Sequence, residues 1–155
     1  MSALPLNVAP IAERMKQGVP ALRLVGLLAE YASIRTLSDF PAPCGYVVLG
    51  NDVGAKNSPG HAPRGQVAQV GQVLTDTFAV IIATRNYRDQ QSGQLVDELR
   101  TLVGASRGAL LGYVPDEPGA RAIEFIRGGL LEYDAGVAVW QDLYQTQHSI
   151  RSTAQ

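Results

Sequence analysis

"GGLLEYDAGVAVWQDLYQTQHSIR", Gly128 to Arg151, is the stretch on which the reading of this 155-residue chain turns. Asp134 and Gly136 supply turn chemistry between two β-prone runs, so the segment reads as an antiparallel hairpin. Trp140 and Tyr144 share one face of its second arm with Asp142 between them, which reads as a strand partly in the core. Beyond them Gln145, Thr146, Gln147, His148 and Ser149 are polar on both faces. A strand that keeps its residue type but loses its apolar face is expected to run past its own core, toward a neighbouring chain whose strands it can pair with.

Upstream, "FAVIIA", Phe78 to Ala83, is apolar on both faces and predicts a central strand covered on both sides. It extends back through an alternating run from Val67, as one long strand or a bent pair. "PAPCGYVVLG" predicts a strand at Tyr46 to Leu49 after proline punctuation. "ALRLVGLLAEYASI" supports a strand near Leu22 to Leu28 and a short helical turn at Ser33 to Leu37. Two stretches carry helical spacing. Val8, Ile11 and Met15 follow Asn7 as N-cap, with Gly18 and Pro20 as the stop. Leu95, Val96, Leu99, Leu102 and Val103 follow Ser92 as cap, and Gly104 ends that helix before one further turn in "SRGALLGYV". Between the β segments lies Asn51 to Gly65, dense in Gly, Pro, Asn and Ser, a loop long enough to be functional. The expected fold is a single α+β domain spanning 1–155. It has a mixed, mainly antiparallel sheet with helices packed on one face, a C-terminal β-hairpin and the Gly/Pro-rich loop at about 51–65.

Composition narrows function. With 46% hydrophobic and 17% charged residues and a net charge of -1, the chain has the make-up of an ordinary folded domain and no basic excess for gripping phosphates. No stretch approaches the roughly 20 apolar residues of a membrane span, and no secretory signal opens the chain. Cys44 is the sole cysteine, so no disulfide or cysteine-based zinc site forms within the chain. His61 and His148 stand in no metal-binding spacing and read as solvated side chains. Cys44 beside an apolar strand reads as a small buried hydrophobe, with nothing local to activate it. "GASRGALLG" lacks the Lys-Ser/Thr of a phosphate loop. No catalytic, cofactor-binding or metal site is expected. Contact residues are expected instead in the loop, at Lys56, His61 and Arg64, and in the polar junction "TRNYRDQQSG", at Arg85, Tyr87 and Arg88.

Taken in order, "VPALRLVGLLAEYA", "PAPCGYVVLG", the loop, "FAVIIATRNYRD", "QLVDELRTLV", "ALLGYVPDEPG" and the closing hairpin resemble the tail terminator (tail completion) proteins of long-tailed bacteriophages and Mu-like prophages. The most distinctive pieces are "ATRNYRD" before the helix and "ALLGYVPD" followed by "GGLLEYDAG". The resemblance implies a virion structural protein with no enzyme activity and no cofactor, assembled in the host cytoplasm and resident in the tail neck. It implies a homo-hexameric ring that caps the head-proximal end of the tail tube, stops tube polymerisation and presents the head-joining surface. Its implied partners are its own copies, the tail tube protein, a head-side connector or head completion protein and, in a contractile tail, the sheath protein. DNA passes the lumen without specific binding, and no membrane is involved. Two alternatives stay open at this point: another head–tail joining or minor tail protein, and a small hydrolase using Cys44.

Overall fold

The computed structural model describes residues 3–56, 60–85, 92–134 and 136–152. Its centre is a five-stranded sheet in the order β1-β2-β3-β5-β4. The strands are β1 (Leu24–Gly26), β2 (Cys44–Gly54), β3 (Gly71–Arg85), β4 (Glu124–Asp134) and β5 (Val137–Arg151), and the helices are α1 (Ala9–Gly18), α2 (Leu28–Ala32) and α3 (Ser92–Leu110). β1 runs parallel to β2, and every other pairing is antiparallel. This is the α+β architecture expected from the mixture of two- and 3.6-residue periodicities.

Pleating sorts the side chains onto two faces. Val47 of β2, Phe78, Val80 and Ile82 of β3, and Ala138 and Tyr144 of β5 meet Ile11 and Met15 of α1 and Leu99, Leu102, Val103 and Leu110 of α3 in the main core. The alternate residues Cys44, Tyr46, Ile81, Ala83, Val137 and Val139 form a smaller cluster on the other face with Phe40, flanked by Tyr31, Ile34 and Leu37. The two long helices therefore share one face. The short α2 and a 3₁₀ turn at Leu37–Asp39 cover one end of the opposite face, which explains why Phe78 to Ala83 is apolar throughout.

Several boundaries differ from the sequence reading. β1 is only three residues long, because Glu30 reaches back to the Leu27 N–H at 3.0 Å and starts α2 at Leu28, where the spacing had suggested strand. β2 continues through Asn51–Gly54, at the start of the expected loop. A register shift between Leu49 and Asp52 allows this: the Thr77 hydroxyl accepts from the Asn51 N–H at 2.9 Å and donates to its carbonyl at 3.0 Å, replacing a ladder rung. Val67 to Val70 lie outside the strand, and β3 is one unbroken strand from Gly71. α3 does not stop at Gly104 but passes Gly104 and Gly108 to Leu110; Gly112, at φ 82°, lies beyond its end. Each mid-helix glycine costs about 1 kcal/mol, and burying the Leu110 side chain, at about 1.5–3 kcal/mol, offsets the pair. At α1 the cap position falls on Val8, yet Asn7 still works locally, its Oδ1 accepting from the Ala9 N–H at 3.1 Å. The cap role read for the Ser92 side chain lies outside what is described.

The closing strand is the largest correction. Its polar end does not leave the core for a neighbour, because β5 pairs with β3 along its full length, from Val137↔Arg85 to Arg151↔Gly71. Past the end of β4 its outer edge is met by the chain's own segment 115–123, through Arg121 N–H to the Gln147 carbonyl (3.1 Å) and Ser149 N–H to the Pro118 carbonyl (2.7 Å). Thr146 and His148 are 2% exposed and hydrogen-bonded inward, so neither that stretch nor His148 is solvated as expected. Polar residues in this strand mark buried hydrogen bonding rather than solvent, a distinction that period-two reading cannot make.

Candidate assembly interface

Among the described strands β1 and β4 form the two edges of the sheet, and β4 is the longer. All of its eleven residues are exposed, including Phe125 (40%), Ile126 (42%), Leu130 (55%), Leu131 (48%) and Tyr133 (54%). A run of exposed apolar side chains along one edge strand is a feature that marks interaction sites where the side chains form one patch. The strand is also irregular, with register shifts between Phe125 and Arg127 and between Leu130 and Glu132 that leave Ile126 and Leu131 as extra residues. Bulges disrupt the ladder of an edge strand and hinder indiscriminate strand addition, so contacts there fall to side chains.

Leu130 pairs with Trp140 and faces α3. Between them runs a groove of about 650 Å³ lined by Val96, Leu99, Val103, Gly104, Arg107, Leu130 and Trp140. Val96, read as core from its spacing, is 51% exposed at the lip of this groove. A Cβ placed on Gly104 would meet nothing within 4 Å, so this glycine leaves the groove open.

The groove rests on a charged network. Asp142, 2% exposed, receives Arg107 Nε at 2.7 Å and Nη2 at 2.8 Å, Trp140 Nε1 at 2.7 Å and the Tyr144 hydroxyl at 3.3 Å. Four donors around one carboxylate hold a charge that burial alone would expel. The Arg107 guanidinium also lies 4.5 Å from the centre of the Phe125 ring, joining α3 to β4. Gly128 faces Asp142 across the ladder, and a Cβ there would collide with the Asp142 carboxylate. Burial, then Asp142, pushes the Tyr144 phenol well above its usual range, so it stays a donor.

The contact residues expected from sequence do not cluster. Lys56, His61 and Arg64 are exposed, on the segment that joins the outer ends of β2 and β3. There the two-strand extension is pinned by Ala55 N–H to the Val73 carbonyl, Val70 N–H to Ser152 Oγ and Ser152 N–H to the Val70 carbonyl. Arg85 stands at the opposite end of β3, roughly 45 Å away at the rise of an extended strand. Its Nη2 donates to the Ser38 (2.8 Å) and Phe40 (3.2 Å) carbonyls, holding the 3₁₀ turn against the sheet. Tyr87 and Arg88 lie outside the described residues. The β4 strip was missed because "EFIRGGLLEY" shows no alternation, and only the strand order reveals that it is an edge.

Cys44 is fully buried, and burial pushes its thiol up to about 11, the opposite of the lowered value that favours a reactive thiolate. Among the described residues no three His, Cys, Asp or Glu side chains converge as a metal site, and no helix is long and apolar enough to cross a membrane. What the geometry offers is surface for association. Compared with known families, residues 1–155 match the model of the phage tail terminator protein. No curated protein matches the chain.

Proposed function

The chain belongs to the phage tail terminator family, matched over its whole length, and from that premise we propose that it closes the head-proximal end of a tail tube as a ring of its own copies. Membership makes it a structural component of phage tail assembly, in contact with other tail or head parts and carried in the virion. The ring, the capping of the tube and the joining to the head are our reading.

The observation that carries it is the exposed apolar strip of β4 with the groove behind it. A ring needs two different surfaces that meet head to tail on each subunit. The sheet has two unlike edges: bulged, apolar β4 at one side, and at the other the three-residue β1, which opens on exposed Leu24 (38%) and is followed by exposed Leu28 (57%) of α2. Joining one to the other buries both apolar edges and leaves the extension bearing Lys56, His61 and Arg64 directed away from that seam, available to the tube protein or the head connector. Arg85 stands at the opposite end of β3, toward the other partner. A net charge of -1 suits a lumen that DNA must traverse without being held.

Tail length tests this function. Lysates lacking the chain should contain overlong tubes, and lysates in which the chain is supplied during assembly should contain tubes of normal length. Tails of normal length that fail to join heads would instead identify a joining protein that acts after the tube is finished.

A further inference from the structure

The outer ends of β2, β3 and β5 run beyond the core with the segment 60–70 between them, and pleating sorts the side chains of this extension as it does those of the core. Asp52 stands opposite Asp76 and so shares the face of Phe78 and Val80, where α1 and α3 lie. Val53 stands opposite Thr75, and Arg151 opposite Gly71, which places both with Val73 on the other face. A Cβ built on Gly71 would lie 3.7 Å from Arg151 Cγ, so the stem of the arginine crosses this bare glycine. Lys56, Arg64 and Val67 occupy the tip. Val53, Val67 and Val73 are all exposed, as are Lys56, Arg64 and Arg151, and among the described residues none of these three cations makes an ion pair. The acidic side chains of the extension lie elsewhere, Asp52 on the helix-bearing face and Asp76 buried against His148. A chain of net charge -1 thus gathers three uncompensated cations and three bare valines at one end.

We propose that this end of the extension is a docking surface for an acidic protein, one whose carboxylates surround an apolar patch that receives the valines. The inference deepens the reading above by naming the chemistry of the partner met along the tail axis, and it takes its probes from that reading. Free cations select either carboxylates or phosphates, and the valines decide between the two. A phosphate backbone offers nothing apolar to Val53, Val67 and Val73, and the described residues of the extension include no aromatic ring on which a base could stack. A protein surface supplies both, an apolar centre within a charged rim. Lys56, Arg64 and Arg151 then steer the approach and set its salt dependence, while the valines hold the complex once water has left. The surface is also preformed. The Ala55 N–H donates to the Val73 carbonyl at 2.8 Å, and Gln72 Nε2 donates to the Ala55 carbonyl at 2.7 Å, so the two strands bearing Val53 and Val73 are already fastened before a partner arrives.

The test measures capture of the purified full chain, from about 50 to about 500 mM salt, by three probes: tail tubes assembled without it, tail-free heads and duplex DNA. Native capture by tubes should fall at least about tenfold across that range. Lys56→Glu with Arg64→Glu and Arg151→Glu should lose capture at low salt. Val53→Ser with Val73→Ser should weaken it at least about fivefold at every salt concentration and leave the salt dependence as it was. Both variants should keep the native melting temperature. Capture by tubes that ignores salt and charge reversal would overturn the inference and leave the tube-capping reading standing. Capture by heads alone would contradict the tube-capping reading, and the same two variants would then decide the inference on heads. Capture by neither particle would overturn the inference. So would tight binding of duplex DNA that charge reversal abolishes, since it would assign the three cations to phosphate. Should the charge-reversed variant fail to fold, the salt dependence of native capture and the valine variant decide the matter.

Discussion

Arg107→Ala removes the guanidinium that serves both as groove wall and as counter-charge to Asp142. Its Nε and Nη2 make two charge-assisted bonds of 2.7 and 2.8 Å to a carboxylate that is 3% exposed at its side chain, whereas Arg107 itself is 34% exposed. The two partners are thus unequal. Truncating Arg107 strands a charge where water cannot reach it, leaving Trp140 Nε1 and the Tyr144 hydroxyl as its donors. Breaking a buried pair in this way costs about 3–5 kcal/mol. The lost stacking on Phe125 adds about 0.5–1 kcal/mol. Asp142→Ala leaves an arginine that can turn to solvent and two neutral donors, at a smaller cost of about 2–3 kcal/mol. Because both single variants break the same bonds, the double variant should cost less than the sum of the two by at least about 1.5 kcal/mol. Urea unfolding of the four proteins measures all three quantities. An Arg107→Ala cost below about 1 kcal/mol, or additive single variants, would refute the claim that this network fastens α3 to the sheet.

Other expectations follow from single features. Gly128→Ala should cost about 1–3 kcal/mol in the same unfolding assay, since its Cβ would be driven into Asp142 and lies 2.8 Å from Arg107 Nη2. Gly104→Ala, with open space around it, should instead stabilise α3 by about 0.5–1 kcal/mol; a destabilised variant would mean the groove is not open there. Stability should fall as pH rises from the ordinary Asp value of 3.8, through about 6 and until His148 is neutral. Asp76 and His148 both bind protons more tightly in the folded chain than unfolded, and that slope, seen in the urea midpoint, should flatten in Asp76→Asn. Replacing Lys56 and Arg64 together by Glu should leave the melting temperature within a degree or so while weakening capture by tail tubes in a pelleting assay; unchanged capture would remove the loop from the tube contact.

The fold class was legible because periodicity survives wherever one face is apolar. Ile11, Met15, Leu99 and Leu102 mark helices that lie on one face, and Phe78 to Ala83 marks a strand covered on both. Local hydrogen bonding moved the boundaries. Glu30 capping Leu27 turned strand into helix, Thr77 bridging Asn51 turned loop into strand, and the burial of Leu110 carried α3 past two glycines. Surface and core were hardest to separate at polar residues. His148, Thr146 and Asp76 look like surface by type, yet they are buried because their partners, Leu4, Arg121 and His148 itself, arrive from distant parts of the chain. Leu130 and Leu131 look like core by type and are exposed, since exposure there follows from strand order, a property no local window carries.

The central claim is that the β4 edge and its groove form the seam between copies in a tube-capping ring. It is tested most directly by electron microscopy of tail tubes incubated with the purified chain, comparing the native protein with Leu130→Glu and with Gly104→Phe. The first variant places a charge on the strip, and the second fills the groove from a position where a side chain meets no neighbour. The account expects closed rings with an open lumen at one tube end for the native chain, and bare ends for both variants while each keeps the native circular dichroism spectrum. Rings formed equally well by both folded variants would contradict it.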